Sequence, residues 1–125
     1  MRQCRRNMSD NKLQLAQQSH EAFAAGDRKF FEQHLAENFT FSSPLDVGLD
    51  RDGYFKRCWP GAGNGQKFNF LRLIQHDEEV VVTYEITKPN GDKGRNTEIV
   101  RIKDDKNRQC RSLFWLGHTA RSLNH

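Results

Sequence analysis

The hydrophobic period changes partway along the chain. From Ser9 to Ala25, Leu13, Ala16, His20 and Phe23 recur at helical spacing and predict a helix with one buried stripe. Gly26 ends it, as a glycine just past a helix does. Asp27 is placed to cap a second helix, Arg28 to about Leu35, with Phe30, Phe31 and Leu35 on its apolar side. Asn38-Phe39-Thr40-Phe41-Ser42 then alternates and reads as a short strand, which Pro44 breaks. Asp50 is placed to cap a third helix, Arg51 to Trp59, and Pro60 stops it. Tyr54, Phe55, Cys58 and Trp59 share one side of that helix.

From Lys67 onward the pattern is strand and turn. Lys67–His76 carries a phase slip at Phe70-Leu71, which predicts a bulge that curves the sheet. Val80, Val82, Tyr84 and Ile86 alternate with Val81, Thr83, Glu85 and Thr87. Pro89-Asn90-Gly91-Asp92 signals a hairpin, and Asn96–Lys103 returns through Ile99, Val100 and Ile102. Asp104-Asp105-Lys106-Asn107 reads as a further turn. The glycines of the Gly61–Gly65 link do not make a phosphate loop, because no Lys-Ser/Thr pair follows them.

Composition narrows the classes. A chain of 125 residues with nine Phe suits one domain with an aromatic-rich core. The N-terminus has no apolar segment resembling a secretory signal, and no run is long enough to span a membrane. Cys4, Cys58 and Cys110 give no disulfide framework and no metal-ligand pair, so a cytoplasmic setting without a bound metal is expected. The net charge of +4 belongs to the ends. Removing Arg2, Arg5 and Arg6 at one end and Lys106, Arg108, Arg111 and Arg121 at the other leaves residues 8–105 at −3. Nucleic-acid binding needs a basic face within the body and is not expected.

Two helices broken by Ala25-Gly26-Asp27, a strand, Pro44, a third helix and an antiparallel meander resemble the nuclear transport factor 2-like superfamily over residues 9–105. The segment SPLDVGLDRDGYFKRCWP is most similar to SnoaL-like proteins of bacteria. The resemblance implies an α+β fold, a cone-shaped curved antiparallel sheet wrapped around three N-terminal helices, with an apolar pocket and a possible homodimer through the sheet. It implies no cofactor. The expected organisation is a disordered leader over residues 1–8, with Met8 as the start of translation, one SnoaL-like domain over 9–117, and a tail over 118–125. Asn107–His125 departs from the family's terminal strand. A one-base shift of a permitted back-translation restores that strand, so a frameshift is expected, with Ser112–Leu116 substituting and Gly117 ending the strand.

In ketosteroid isomerases the base is an Asp just before the proline, where this chain has Ser43. Their helix-one Tyr falls at Ser19. Ordinary ketosteroid isomerisation is therefore not expected. Asp46 is the alternative candidate base, or else a turn acceptor near Gly48. His20 is either a core-edge histidine or a pocket acid–base group. With Tyr84 these make the candidate catalytic set. Phe23, Phe41, Tyr54, Cys58, Trp59 and His76 are candidate ligand contacts. Two readings stay open. One is acid–base isomerisation, dehydration or cyclisation of a small apolar carbonyl or hydroxyl compound. The other is a non-catalytic binding or dimerisation module.

Overall fold

The computed structural model describes the backbone of residues 2–117 and the side chains of residues 11–113. Helix α1 is Arg2–Ala25, so it takes in residues expected to form the leader, and Ser9 lies within it rather than at its start. The expected tail, residues 118–125, lies outside the described residues. Leu15, Ala16 and Ala22 are buried on α1, flanked by partly buried Leu13 and Phe23. Gly26 ends the helix with φ +73°, and a Cβ there would meet the Gly63 backbone at 3.2 Å. The Gly61–Gly65 link thus docks directly on the end of α1, where the Gly63 amide donates to the Phe23 carbonyl.

Helix α2, Arg28–His34, is capped by Asp27, whose carboxylate accepts from the Phe30 amide. It stops one residue earlier than its pattern predicts. Leu35 is extended and opens strand β1, Leu35–Ser42, because its neighbour Ala36 and it are both needed in the core. Helix α3, Arg51–Arg57, is capped by Asp50 as expected, and the Cys58-Trp59-Pro60 end unwinds into a single 3-10 turn, Trp59–Gly61.

Strands β2 (Lys67–His76), β3 (Glu79–Thr87), β4 (Lys93–Lys103) and β5 (Lys106–Gly117) form an antiparallel meander. The sheet order is β1-β5-β4-β3-β2. β1 runs parallel to β5, so the sheet is mixed rather than purely antiparallel. The bulge falls where the phase slips, with register broken between Phe70 and Arg72. The last turn is shorter than expected. In this turn Asp104 and Asp105 take positive φ (55° and 58°), the conformation of a two-residue hairpin loop. β5 therefore starts at Lys106. Its central place between β4 and β1 holds weak strand formers such as Asn107 in extended form, since both neighbours need its backbone groups.

Val80, Val82, Tyr84, Ile86, Val100 and Ile102 form the inner face of the sheet, against Leu15 and Ala16 of α1. Burying each such aliphatic side chain stabilises by roughly 1.5–3 kcal/mol. A second cluster joins Ala22, Phe31, Leu35, Phe39, Tyr54 and Phe55, so α1–α3 close one end of the curved sheet. Among the described residues no helix is long and apolar enough to cross a membrane.

Candidate active site

Helices and sheet line an open-mouthed cavity of about 270 Å³. Its wall is mostly Phe23, Phe31, Phe39, Phe41, Phe68 and aliphatic side chains, and its polar groups come from β3, β4 and β5 on one side and from α1, α3 and the loop after β1 on the other. The two-residue repeat of β4 turns Asn96, Glu98, Val100 and Ile102 inward together. Register sets Tyr84 opposite Asn96 and Ser112 opposite Glu98.

Glu98 is the hub. Its Oε1 lies 2.9 Å from His20 Nε2 and 3.5 Å from the Cys110 thiol, which donates to it. Its Oε2 accepts from the Tyr84 hydroxyl at 3.0 Å and from Asn96 Nδ2 at 3.3 Å. The His20–Glu98 side chains are only 11% and 12% exposed. His20 Nδ1 sits 2.8 Å from the Ala16 carbonyl, one turn back on α1. A carbonyl only accepts, so Nδ1 carries a proton, and the contact with Glu98 holds a second one. Burial opposes charge on both partners. Attraction to Glu98, with the hydrogen bonds to Glu98 and Ala16, outweighs it and raises His20 above 6.5. Burial alone would raise Glu98, but the His20 charge and the donors around it hold the carboxyl below 4.5. Both shifts favour an imidazolium paired with a carboxylate. Phe68, Phe70 and Tyr84 meet the His20 ring edge-on, with centroids 5.0–5.7 Å away.

Asparagines extend the cluster. Asn96 Nδ2 also reaches Tyr84 Oη at 3.0 Å and Ser112 Oγ at 2.8 Å. Its amide faces a carboxylate, which fixes the nitrogen on that side. Asn107 Nδ2 donates to Ser19 Oγ at 3.1 Å, while Ser19 gives its own proton to the Leu15 carbonyl. Asn96 Oδ1 and Asn107 Oδ1 are left buried without a partner among the described residues.

The candidates from sequence divide by place. His20 and Tyr84 meet through Glu98. Phe23, Phe41, Tyr54 and Cys58 line the cavity. Asp46 sits at its rim, where Oδ1 accepts from Arg57 at 3.0 Å and 3.2 Å. The turn role near Gly48 falls instead to Ser42 and Ser43, whose hydroxyls accept the Gly48, Leu45 and Asp46 amides. Ser19 and Ser43 also line the cavity, at the positions where the isomerase pattern has Tyr and Asp. Trp59 lies outside the lining, edge-on to Phe23, Phe31 and Phe55, because the 3-10 turn swings it into the helix cluster. His76 ends β2 with its side chain 83% exposed, beside Asp77, on the solvent phase of the strand. Sequence reasoning missed Glu98, Asn96, Asn107, Cys110 and Ser112. For Asn96 and Glu98 the signal was present, since the alternation that buries Val100 and Ile102 places both inward. No group of three or more His, Cys, Asp or Glu side chains suited to a metal occurs among the described residues.

An α+β cone, its curved open sheet and helices bordering a cavity with a buried ion pair, defines the class. Residues 16–109 match the SnoaL-like domain, and the chain belongs to that family. No curated protein matches it in sequence. Three of the many solved structures that share the fold illustrate it. A provisionally assigned ketosteroid isomerase from Kribbella flavida is 14% identical over 86% of this chain and 78% of its own, with a TM-score of 0.71. A nuclear transport factor 2-like protein of unknown function from Cytophaga hutchinsonii is 16% identical over 89% and 92%, at 0.68. A provisionally assigned polyketide cyclase from Acidithiobacillus ferrooxidans is 19% identical over 78% and 82%, at 0.66.

Proposed function

We propose that the cavity binds a small, largely apolar molecule bearing a carbonyl or hydroxyl and carries out acid–base chemistry on it, of isomerase, dehydratase or cyclase type. The observation that carries this reading is the His20–Glu98 ion pair buried in an aromatic cavity, joined to Tyr84. Desolvating two charges stabilises a fold no better than apolar packing would, whereas titratable groups perturbed by burial and a charged partner cluster at functional sites. Isomerisation and dehydration need one group to remove a C–H proton and another to supply a proton to oxygen. The His20–Glu98–Tyr84 cluster is the acid, its proton reaching the ligand when a ligand oxygen displaces one of the hydrogen bonds that hold it. Asp46 at the rim is the base. The provisional isomerase and cyclase assignments of two structural neighbours support the same class.

A second reading, a passive binding module, is favoured by one fact: both Glu98 oxygens are already occupied by protein donors. One experiment separates the two. The chain is screened by thermal shift against aromatic and polycyclic ketones and alcohols, since a ligand that binds the native state raises the midpoint. Each hit is then incubated in deuterium oxide and its carbon-bound hydrogens are followed by NMR. Deuterium uptake that falls in both Asp46→Asn and Glu98→Gln is the expected result. Hits that bind but exchange no hydrogen assign the cavity to passive binding.

A further inference from the structure

The cavity holds a second polar pole that the His20–Glu98 cluster does not use. Tyr54 of α3 is 92% buried, because only 8% of it is exposed, and it lines the cavity. Its ring is fixed on several sides. Phe31 stacks on it at 6.0 Å, and Phe39, Phe41 and Phe55 contact it at 5.4–6.0 Å. Its side chain makes these ring contacts and no hydrogen bond with the described residues, and its hydroxyl is not among the polar atoms sealed away from solvent. The contrast with Tyr84 is direct, because that phenol both donates to Glu98 and accepts from Asn96. Burial, with Cys110, Cys58 and Glu98 nearby, pushes the Tyr54 phenol well above its ordinary value, so it stays protonated and remains a donor.

We infer that Tyr54 is the docking donor of the ligand-binding site and that the ligand presents an acceptor oxygen to it, a ketone or aldehyde carbonyl conjugated to an aromatic or polycyclic body. The inference rests on the proposed cavity-binding function and narrows its ligand class from carbonyl or hydroxyl to carbonyl. Buried phenols ordinarily find a partner. A phenol held rigid by four Phe side chains has lost its freedom to seek one, and it is set in advance for an oxygen that arrives with the ligand. The same O–H stabilises negative charge that develops on that oxygen when a neighbouring C–H proton is removed, which assigns Tyr54 a part in the acid–base chemistry as well.

The test uses a matched pair of probes, 2-acetylnaphthalene and 2-isopropylnaphthalene, alike in shape but only one with a carbonyl. Both are titrated by calorimetry into the full chain and into Tyr54→Phe, which removes the hydroxyl and keeps the ring. The wild type is expected to bind the ketone about tenfold more tightly than the hydrocarbon, in line with one hydrogen bond to a buried neutral donor. In Tyr54→Phe that preference disappears, the ketone losing affinity relative to the hydrocarbon. The infrared carbonyl stretch of the bound ketone, lowered in the wild type, returns toward its apolar-solvent position in the variant. A preference or a lowered stretch that survives in Tyr54→Phe overturns the inference. Equal binding of both probes by the wild type overturns it too, and leaves the cavity-binding function standing. Binding of neither probe removes both.

Discussion

At the scale of single residues, the His20–Glu98 pair makes stability depend on pH in a defined window. The native His20 value exceeds the unfolded one, so its contribution is full below 6.5 and is lost as pH rises through the native value. The native Glu98 value is depressed, so its contribution is full above 4.5 and is lost as pH falls through the native value. Between 4.5 and 6.5 the pair contributes in full. Removing one partner of a buried pair costs roughly 3–5 kcal/mol. Urea denaturation of the wild type and Glu98→Gln across this range is expected to show a gap of about that size, narrowing on both sides. A gap that does not vary with pH excludes a linked ionisation. Tyr54→Phe behaves in the opposite way: losing a cavity-lining hydroxyl that makes no hydrogen bond to the described residues leaves stability unchanged or raises it by up to about 1 kcal/mol, read in the same denaturation. His20 and Tyr84 were legible because each sits on a buried periodic stripe yet can titrate. Glu98 was not, because the eye follows the apolar members Ile99, Val100 and Ile102, and two of these three are inward while Ile99 is not. Strict alternation from Val100 would have placed Glu98 among the buried residues.

At the scale of elements, local chemistry was readable and long-range pairing was not. Asp27 and Asp50 cap the helices they precede, Gly26 takes the left-handed conformation, and the bulge sits at Leu71. Each of these follows from a few adjacent residues. β5 does not, because its extended form is imposed by two neighbours distant in sequence, Leu35–Ser42 and Lys93–Lys103. The same reasoning yields a prediction for the junction between α1 and the glycine link. Gly26→Ala forces a side chain into a left-handed backbone and against the Gly63 Cα. The expected loss is about 1–2 kcal/mol for the backbone alone, measured as a lower urea midpoint with an unchanged slope. Asp50→Ala removes the carboxylate that accepts the Gly53 amide at 2.7 Å, and about 1 kcal/mol with it. Because α3 carries Tyr54 and leads into Cys58, this second change is also expected to weaken ligand binding more than a surface substitution of equal stability cost.

At the scale of the whole molecule, the fold class, the helix order and the meander were legible, while the closed end of the sheet was not. The parallel β1–β5 pairing needs knowledge of which strand lies beside which, and no local pattern encodes that. The outer face of the sheet raises the remaining question, the homodimer expected from the family resemblance. Ile74, Val81 and Ile99 lie in register across β2, β3 and β4, on the face away from the cavity. Ile74 is 50% exposed, and Leu113 of β5 is 44% exposed. Ion pairs border this row, with Glu79 near Arg111 and Glu85 near Arg95. A row of apolar side chains edged by both signs of charge can meet a second copy of itself about a two-fold axis, each patch serving as its own complement. The single chain has a mass of 14.6 kDa. Sedimentation velocity is expected to give twice that mass for the wild type and the single mass for Val81→Glu, which puts a charge at the centre of the row without touching the cavity wall. The variant should keep its affinity for the acetylnaphthalene probe, because the residues that line the cavity point from the opposite face. A wild type that sediments as a single chain removes the dimer, and a Val81→Glu variant that stays double moves the interface elsewhere.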